Sequence, residues 1–241
     1  MWRIFRSELL KLRKSHISLL VFVSPLLASL LALLESVQEE AFPWHQLLAT
    51  MALLHGLLFL PLLAGVFAAF ICRYEHAGGG WKQIFVLPVS RTGVYVVKFG
   101  LVMGLLLACQ LLFLGGLLGV GMLKGIEAPV PWDMLGRSLL GGWVACAPLA
   151  ALQLAVSTAW SSFAAPLALN VIFTLPNILV INSEKFGPWY PWGQPVMAML
   201  SGAQDGFGAF LVPPETLLIV IAGGFALFFA GGLLYFRRKA M

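Results

Sequence analysis

Residues 41–72 read AFPWHQLLATMALLHGLLFLPLLAGVFAAFIC, a stretch without a single Asp, Glu, Lys or Arg. A helix needs about 20 apolar residues to cross the hydrocarbon core of a bilayer, so this stretch is long enough for a span. Four further intervals also lack these residue types: 15–34, 99–123, 138–183 and 216–236. The chain of 241 residues is 60% hydrophobic and 10% charged, with a mean hydropathy of +0.93. Because a water-soluble core of this size cannot bury so many apolar side chains, the sequence predicts an integral membrane protein.

The interval 138–183 is long enough for two helices, with a break expected at 157–166, where STAWSSFAAP interrupts the apolar pattern. The sequence therefore predicts an all-α fold with six transmembrane helices in a single membrane domain, residues 1–241. The predicted spans are about 15–35, 46–71, 95–123, 137–158, 163–182 and 215–236.

The distribution of lysine and arginine predicts the orientation of these spans, because such residues accumulate in cytoplasmic loops. Placing the N-terminus inside puts twelve of the 15 basic residues on the inner face and predicts that both termini are cytoplasmic. A basic face beside anionic lipid accounts for the net charge of +5, so no nucleic-acid partner is predicted. The twelve are Arg3, Arg6, Lys11, Arg13, Lys14, Arg73, Lys82, Arg91, Lys98, Arg237, Arg238 and Lys239.

The first 14 residues, MWRIFRSELLKLRK, combine basic side chains with an apolar stripe at helical spacing. Trp2, Phe5, Leu9 and Leu12 form that stripe. This pattern predicts a helix lying in the membrane interface. A simpler interpretation, compatible with the first, is a basic segment that anchors the first span.

The sequence carries no catalytic, cofactor or metal-binding signature. It has no G-x-x-x-x-G-K-[ST] phosphate loop, and its three cysteines and four histidines show neither C-x-x-C nor i, i+4 spacing. The apolar intervals also lack carboxylates of the kind that relay protons in coupled carriers. We therefore predict that the chain is not an enzyme, and that energy for any transport comes from another subunit.

Residues 73–91, RYEHAGGGWKQIFVLPVSR, lie between the second and third predicted spans on the inner face. Residues 78–80 are glycines that permit a tight bend before Trp81, and Pro88 ends a helix. The segment predicts a short helix along the membrane that presents basic and aromatic faces to the cytosol. Such a helix can dock into a groove of a soluble partner. The alternative is an amphipathic segment bound to lipid without a partner.

This loop resembles that of the permease subunits of type-2 ATP-binding-cassette (ABC) exporters. In that family a glutamate precedes a Gly-Thr-Trp/Leu turn, then an apolar stretch, Leu-Pro-Val-Ser-Arg, and a lysine that opens the third span. Gly80 replaces the usual threonine, and Ala77 stands where many members have a second acidic residue. The matching residues are Glu75, Gly79, Trp81, LPVSR at 87–91, and Lys98.

The opening residues 6–20, RSELLKLRKSHISLL, resemble the small permeases of the bacitracin-resistance and lantibiotic-immunity branch. The resemblance implies a multi-pass protein of the bacterial plasma membrane that pairs with a second permease, identical or homologous. It also implies separate ABC subunits that bind ATP and Mg²⁺. This chain itself is expected to bind neither. The implied cargo is a hydrophobic or amphipathic substrate such as a peptide antibiotic.

Within the loop, the resemblance implies that one set of residues couples the spans to the ATP-binding subunit. An alternative function of a different class is a membrane scaffold or sensor that recruits a cytoplasmic signalling protein through residues 73–91. The implied coupling residues are Glu75, Gly79, Gly80, Trp81, Pro88 and Arg91.

Four uncharged polar residues, Gln110, Gln153, Asn170 and Asn177, lie inside the predicted spans. They are expected either to bond across helices or to line a substrate path. The outer segment 186–214 is too long for a turn and rich in aromatic residues, which predicts an amphipathic or re-entrant helix over about 196–200. An aromatic anchor at the outer headgroup level is the alternative.

Overall fold

The computed structural model describes residues 2–14, 16–35, 43–76, 79–86, 89–201 and 212–239. Within these ranges the chain forms α-helices, short 3₁₀ and π turns and no β-strand. The α-helices are α1 (Trp2–Lys14), α2 (Leu20–Leu34), α3 (Pro43–Leu54), α4 (Leu60–His76), α5 (Gly80–Val86), α6 (Arg91–Leu123), α7 (Trp132–Ala159), α8 (Ala164–Thr174), α9 (Asn177–Ile181), α10 (Gln194–Met199) and α11 (Pro214–Arg238).

Five helical stretches in the described part of the chain are long and apolar enough to cross a membrane. Two are composite, because a 3₁₀ turn leads into α2 and a π turn at His55–Phe59 joins α3 to α4. The protein is therefore an all-α, multi-pass membrane protein, as predicted. The stretches are Ile17–Leu34, Pro43–His76, Arg91–Leu123, Trp132–Ala159 and Pro214–Arg238.

The region predicted as the fifth span, 163–182, is divided into two short helices rather than one. The break expected at 157–166 is present, since α7 ends at Ala159 and α8 begins at Ala164. A second break separates α8 from α9 at Pro176, whose ring nitrogen has no hydrogen to donate to a helical carbonyl. The count of six spans remains a prediction.

Helix α7 lies at the centre of the bundle, where α4, α6, α10 and α11 pack against it, and α2 packs against α6 and α3. Helix α1 packs against α6 near the start of that helix. We call the end of the bundle that carries α1, α5 and residues 237–239 the basic end.

The short helix predicted within the outer segment is present as α10, Gln194–Met199, and all of its residues are buried. It fits closely because glycines of two neighbouring helices face it. A Cβ atom at Gly56 would lie 3.0 Å from Val196 Cα, and one at Gly142 would lie 2.4 Å from Met199 Cγ. Re-entry of this segment into the bilayer remains a prediction, and its residues 202–211 lie outside the described ranges.

The π turn that precedes α4 is explained by Pro61. Because Pro61 has no amide hydrogen, the carbonyl of Leu57, four residues earlier, loses its usual helical donor. The side chain of Asn177 replaces that donor, with Nδ2 2.8 Å from the Leu57 oxygen. An irregularity in one helix is thus stabilised by a polar side chain of another.

Candidate functional site

Four charged side chains from three helices meet at the basic end. Lys98 Nζ lies 2.7 Å from Glu8 Oε2 and 3.0 Å from Glu75 Oε1, and it also donates to the Ile71 carbonyl at 3.0 Å. Lys11 Nζ lies 2.5 Å from Glu8 Oε1 and 2.7 Å from Glu75 Oε1. These contacts join α1, α4 and α6 in a group of two carboxylates and two ammonium groups, which we call the charge cluster.

The charge cluster is buried except for Lys11, which is partly exposed. Lys98 is fully buried, and Glu8 and Glu75 are 5% and 2% exposed. Burial by itself raises the pKa of Glu8, but the nearby Lys98 and Lys11 outweigh burial and hold that pKa below its usual value. Removing one member of such a cluster leaves a buried charge without its partner, which costs about 3–5 kcal/mol. The cluster therefore strongly favours one relative position of the three helices.

Helix α5 begins beside the charge cluster, and two glycines place it there. Gly79 has φ +74°, a left-handed conformation that glycine adopts without strain. A Cβ atom at Gly80 would lie 2.9 Å from both Glu75 Cα and the Tyr74 carbonyl oxygen. The first turn of α5 thus rests directly on the backbone that carries Glu75.

Trp81 holds α5 against the bundle. Its side chain is 6% exposed, its ring lies edge-on to Phe236 with centroids 5.2 Å apart, and Lys98 Nζ lies 5.6 Å from its centroid. The prediction that α5 presents its aromatic face to the cytosol is therefore wrong for Trp81, because this ring fills a space between α4, α6 and α11. The exposed side chains of α5 include Lys82, Gln83 and Val86.

His76 connects α5 to α7. Its Nε2 lies 2.7 Å from the Ser157 carbonyl oxygen, which can only accept a hydrogen bond, so Nε2 donates. Trp81 Nε1 donates to His76 Nδ1 at 3.3 Å, which fits the neutral tautomer with its proton on Nε2. The imidazole therefore links the first turn of α5 to the last turn of α7 through two hydrogen bonds.

Arg91, the last implied coupling residue, contacts the end of α11. Its Nη1 donates to the carbonyls of Arg237 at 2.8 Å and Lys239 at 3.0 Å, where a helix C-terminus favours a cation. Ser90 begins α6 as its N-cap, with Oγ accepting from the Gly93 amide at 3.0 Å. Pro88 lies outside the described residues.

The four polar residues of the predicted spans are all buried. Gln110 Oε1 lies 3.2 Å from His55 Nε2, and Gln153 Nε2 donates to Asn170 Oδ1 at 3.0 Å. Asn177 Nδ2 donates to the carbonyls of Leu57 and Trp192. Each therefore bonds across helices in the way that helix packing requires, while a role in a substrate path remains untested.

The sequence alone does not predict the charge cluster. Glu8 and Lys11 lie within the basic lead, and their i, i+3 spacing, which places them on one face of a helix, is the one signal that the sequence offers. The predicted third span, 95–123, places Lys98 at its start, but α6 begins at Arg91 and places Lys98 two turns inside it. Among the described residues, no three His, Cys, Asp or Glu side chains form a group that could hold a metal ion.

The variant Gly80→Ala directly tests how the first turn of α5 packs against the backbone of Glu75. The added methyl group collides with the backbone of Glu75 and Tyr74, so we expect α5 to shift and Trp81 to lose its contacts. Amide hydrogen exchange of residues 80–86 should accelerate about tenfold. Gly100→Ala is the matched control, because a Cβ atom at that position of α6 meets nothing within 4 Å. Equal amide exchange rates for residues 80–86 in both variants would contradict this account of how α5 is positioned.

The fold and the site together define a class of protein: a helical membrane protein in which buried charges tie the short helix α1 to the long helices α4 and α6, while a second short helix, α5, packs against the backbone beside them. The family model of the ABC-2 family transporter protein matches residues 4–177 of this chain. The bacitracin transport permease protein BCRB of Bacillus licheniformis is 25% identical over 181 residues, which are 73% of this chain and 83% of that protein. The chain belongs to the ABC-2 transporter family and is a transmembrane subunit of an ABC transporter, a family whose permeases work with an ATP-binding subunit.

Proposed function

We propose that this chain is the permease of an ATP-driven exporter in which a separate subunit hydrolyses ATP and α5 transmits the resulting motion to the spans. The observation that supports this most strongly is the position of α5. Its first turn touches the backbone of Glu75, and the side chain of Glu75 is bound to Lys98 of α6 and Lys11 of α1. A displacement of α5 therefore acts on α1, α4 and α6 together.

The exposed face of α5 is the proposed contact with the ATP-binding subunit. Val86 is an apolar side chain that is 86% exposed, and Lys82 and Gln83 of the same short helix are also exposed. An apolar side chain with a polar and a charged neighbour is a composition suited to a groove on a soluble partner. In this proposal the basic end is cytoplasmic, as the distribution of lysine and arginine predicts.

The test is co-purification of the permease with a candidate ATP-binding cassette subunit, in detergent or nanodiscs, comparing wild type with Val86→Asp. Aspartate at this exposed position leaves the bundle intact but introduces a charge that docking would bury without a partner. We expect retention of the ATP-binding subunit to fall about tenfold or more. Substitution of Trp81 is less informative, because this buried ring also holds α5 in place.

The matched control is Arg238→Asp, which adds the same side chain to an exposed position at the basic end but outside α5. Loss of the partner with both variants would indicate a general effect of charge and would contradict a specific role for α5. If wild type retains no ATP-binding subunit at all, the alternative of a scaffold or sensor that recruits another protein through residues 73–91 is favoured.

For the cargo, we propose a hydrophobic or amphipathic peptide antibiotic, and for the complete transporter a second permease, identical or homologous. The similarity to a bacitracin transport permease supports the choice of cargo. The experiment is growth of a sensitive bacterium that expresses the permease and its ATP-binding subunit in the presence of bacitracin. Protection that is lost with Val86→Asp would support the proposal, and equal sensitivity with and without the transporter would contradict bacitracin as the cargo.

A further inference from the structure

A cavity of about 220 Å³ lies at the basic end between α4, the last turn of α7 and the start of α8. It is separate from the charge cluster. Its polar lining consists of Arg73, His76 and the serines Ser157, Ser161 and Ser162, and no carboxylate is among its lining residues. The described side chains around this cavity therefore favour an anion.

Arg73 is an exposed cation that is held in position at the cavity. Its guanidinium lies 5.8 Å from the ring centroid of Phe70 and 5.3 Å from that of Phe163, and the two rings lie edge-on to each other. In the described part of the chain Arg73 forms no ion pair. Its hydrogen-bond donors are thus oriented by two aromatic rings and not neutralised by a carboxylate.

Ser157 supplies a second and independent observation. The residue is 2% exposed and lines the cavity, yet its buried Oγ has no hydrogen-bond partner among the described residues. A buried hydroxyl without a partner is costly in a folded protein, and a ligand in the cavity would satisfy it.

The carbonyl oxygens at the end of α7 add no further acceptors to the cavity, because the last four of them already accept hydrogen bonds. Val156 accepts from the Trp160 amide and Ser157 from His76. Lys239 Nζ donates to the carbonyls of Thr158 and Ala159 at 3.0 and 3.1 Å. With these acceptors occupied, the cavity offers mainly donors: a guanidinium and serine hydroxyls. The N-terminus of α8, which follows Ser161 and Ser162, adds the positive end of a helix dipole.

From these observations we propose that the cavity binds a phosphate group. Guanidinium and hydroxyl donors around a helix start match the oxygens of phosphate. A phosphate group at this position is supplied either by the headgroup of a membrane phospholipid or by free inorganic phosphate. The apolar part of the lining, Ala69, Phe163 and Pro166, favours the lipid, since it offers a surface to the glycerol and the first methylenes.

The experiment is native mass spectrometry of the purified full-length chain, without any partner subunit, so that it does not depend on the proposed function. Three probes are compared: phosphatidylglycerol, diacylglycerol with the same acyl chains, and inorganic phosphate. Wild type should retain phosphatidylglycerol in preference to diacylglycerol. Arg73→Gln should weaken that retention about tenfold.

The control for the lost charge is Arg238→Gln, another exposed arginine at the basic end, which should retain the lipid as wild type does. Ser157→Ala, which removes one unpartnered hydroxyl without a change in charge, should weaken retention less than Arg73→Gln. Binding of inorganic phosphate that is lost in Arg73→Gln, without binding of the lipid, would support the site and identify the soluble source. Equal retention of every probe in wild type and Arg73→Gln would overturn the proposal.

Discussion

Replacement of Lys98 by methionine should lower the thermal stability of the purified protein more than any other single substitution at the basic end. Methionine fills nearly the same volume, so the effect comes from the missing charge. Glu8 and Glu75 would then share only Lys11, and two buried carboxylates would carry an uncompensated negative charge. We expect a loss of about 3–5 kcal/mol, or a Tm lower by about 10 °C in detergent.

The matched control is Lys82→Met, the same chemical change at an exposed lysine of the basic end, which should leave Tm nearly unchanged. The double variant Glu8→Gln, Lys98→Met separates charge from packing. It leaves Lys11 paired with Glu75 and restores neutrality, so part of the lost stability should return. A double variant that is less stable than Lys98→Met alone would show that the cluster does not stabilise the protein through its balance of charge.

The charge cluster also shows what the sequence predicts and what it does not. Charge-free intervals identify the long helices well, because the bilayer imposes a length and a composition that a single chain must satisfy. Contacts between helices leave no comparable pattern. Glu8 and Lys98 are far apart in the sequence, and neither position shows which charged side chain of another helix it meets.

Trp81 illustrates the same limit within a motif. The glycines before it predict a tight bend, and the structure has one at Gly79 and Gly80. The direction in which α5 then lies depends on Phe236, at the far end of the chain, whose ring packs against Trp81. A motif therefore locates the proposed coupling segment, whereas tertiary packing decides which of its side chains remain exposed.

The basic end of this protein is organised around hydrogen bonds at helix ends as well as around charge. His76 and Lys239 satisfy the last carbonyls of α7, and Arg91 satisfies those of α11. These donors lie at the end of α4, directly after α11 and at the start of α6. A shift of α5 is transmitted to this set through His76, so the proposed phosphate site and the proposed coupling helix share one imidazole.

Replacement of Asn170 by alanine is the second substitution for which we expect a large loss of stability, here in the middle of the bundle. Asn170 Oδ1 accepts from Gln153 Nε2 at 3.0 Å and from Trp192 Nε1 at 2.9 Å, and its Nδ2 donates to the carbonyls of Pro61 and Leu62. Alanine leaves the two buried donors without an acceptor. The loss should be about 2 kcal/mol or more, a Tm lower by about 5 °C.

The control for Asn170→Ala is Asn182→Ala, because Asn182 is exposed and donates to the carbonyl of Ile178, in the helix that it directly follows. The variant Gln153→Leu removes the amide that Asn170→Ala leaves unpaired, and the two substitutions together should cost less than the sum of their separate effects. This non-additivity distinguishes a hydrogen-bonded network from simple loss of volume, since a cavity left by the shortened side chain would persist when Gln153 is also replaced. Additive losses would place the contribution of Asn170 in its packing against Gly65, where a Cβ atom would lie 2.3 Å from the amide nitrogen, and not in its hydrogen bonds.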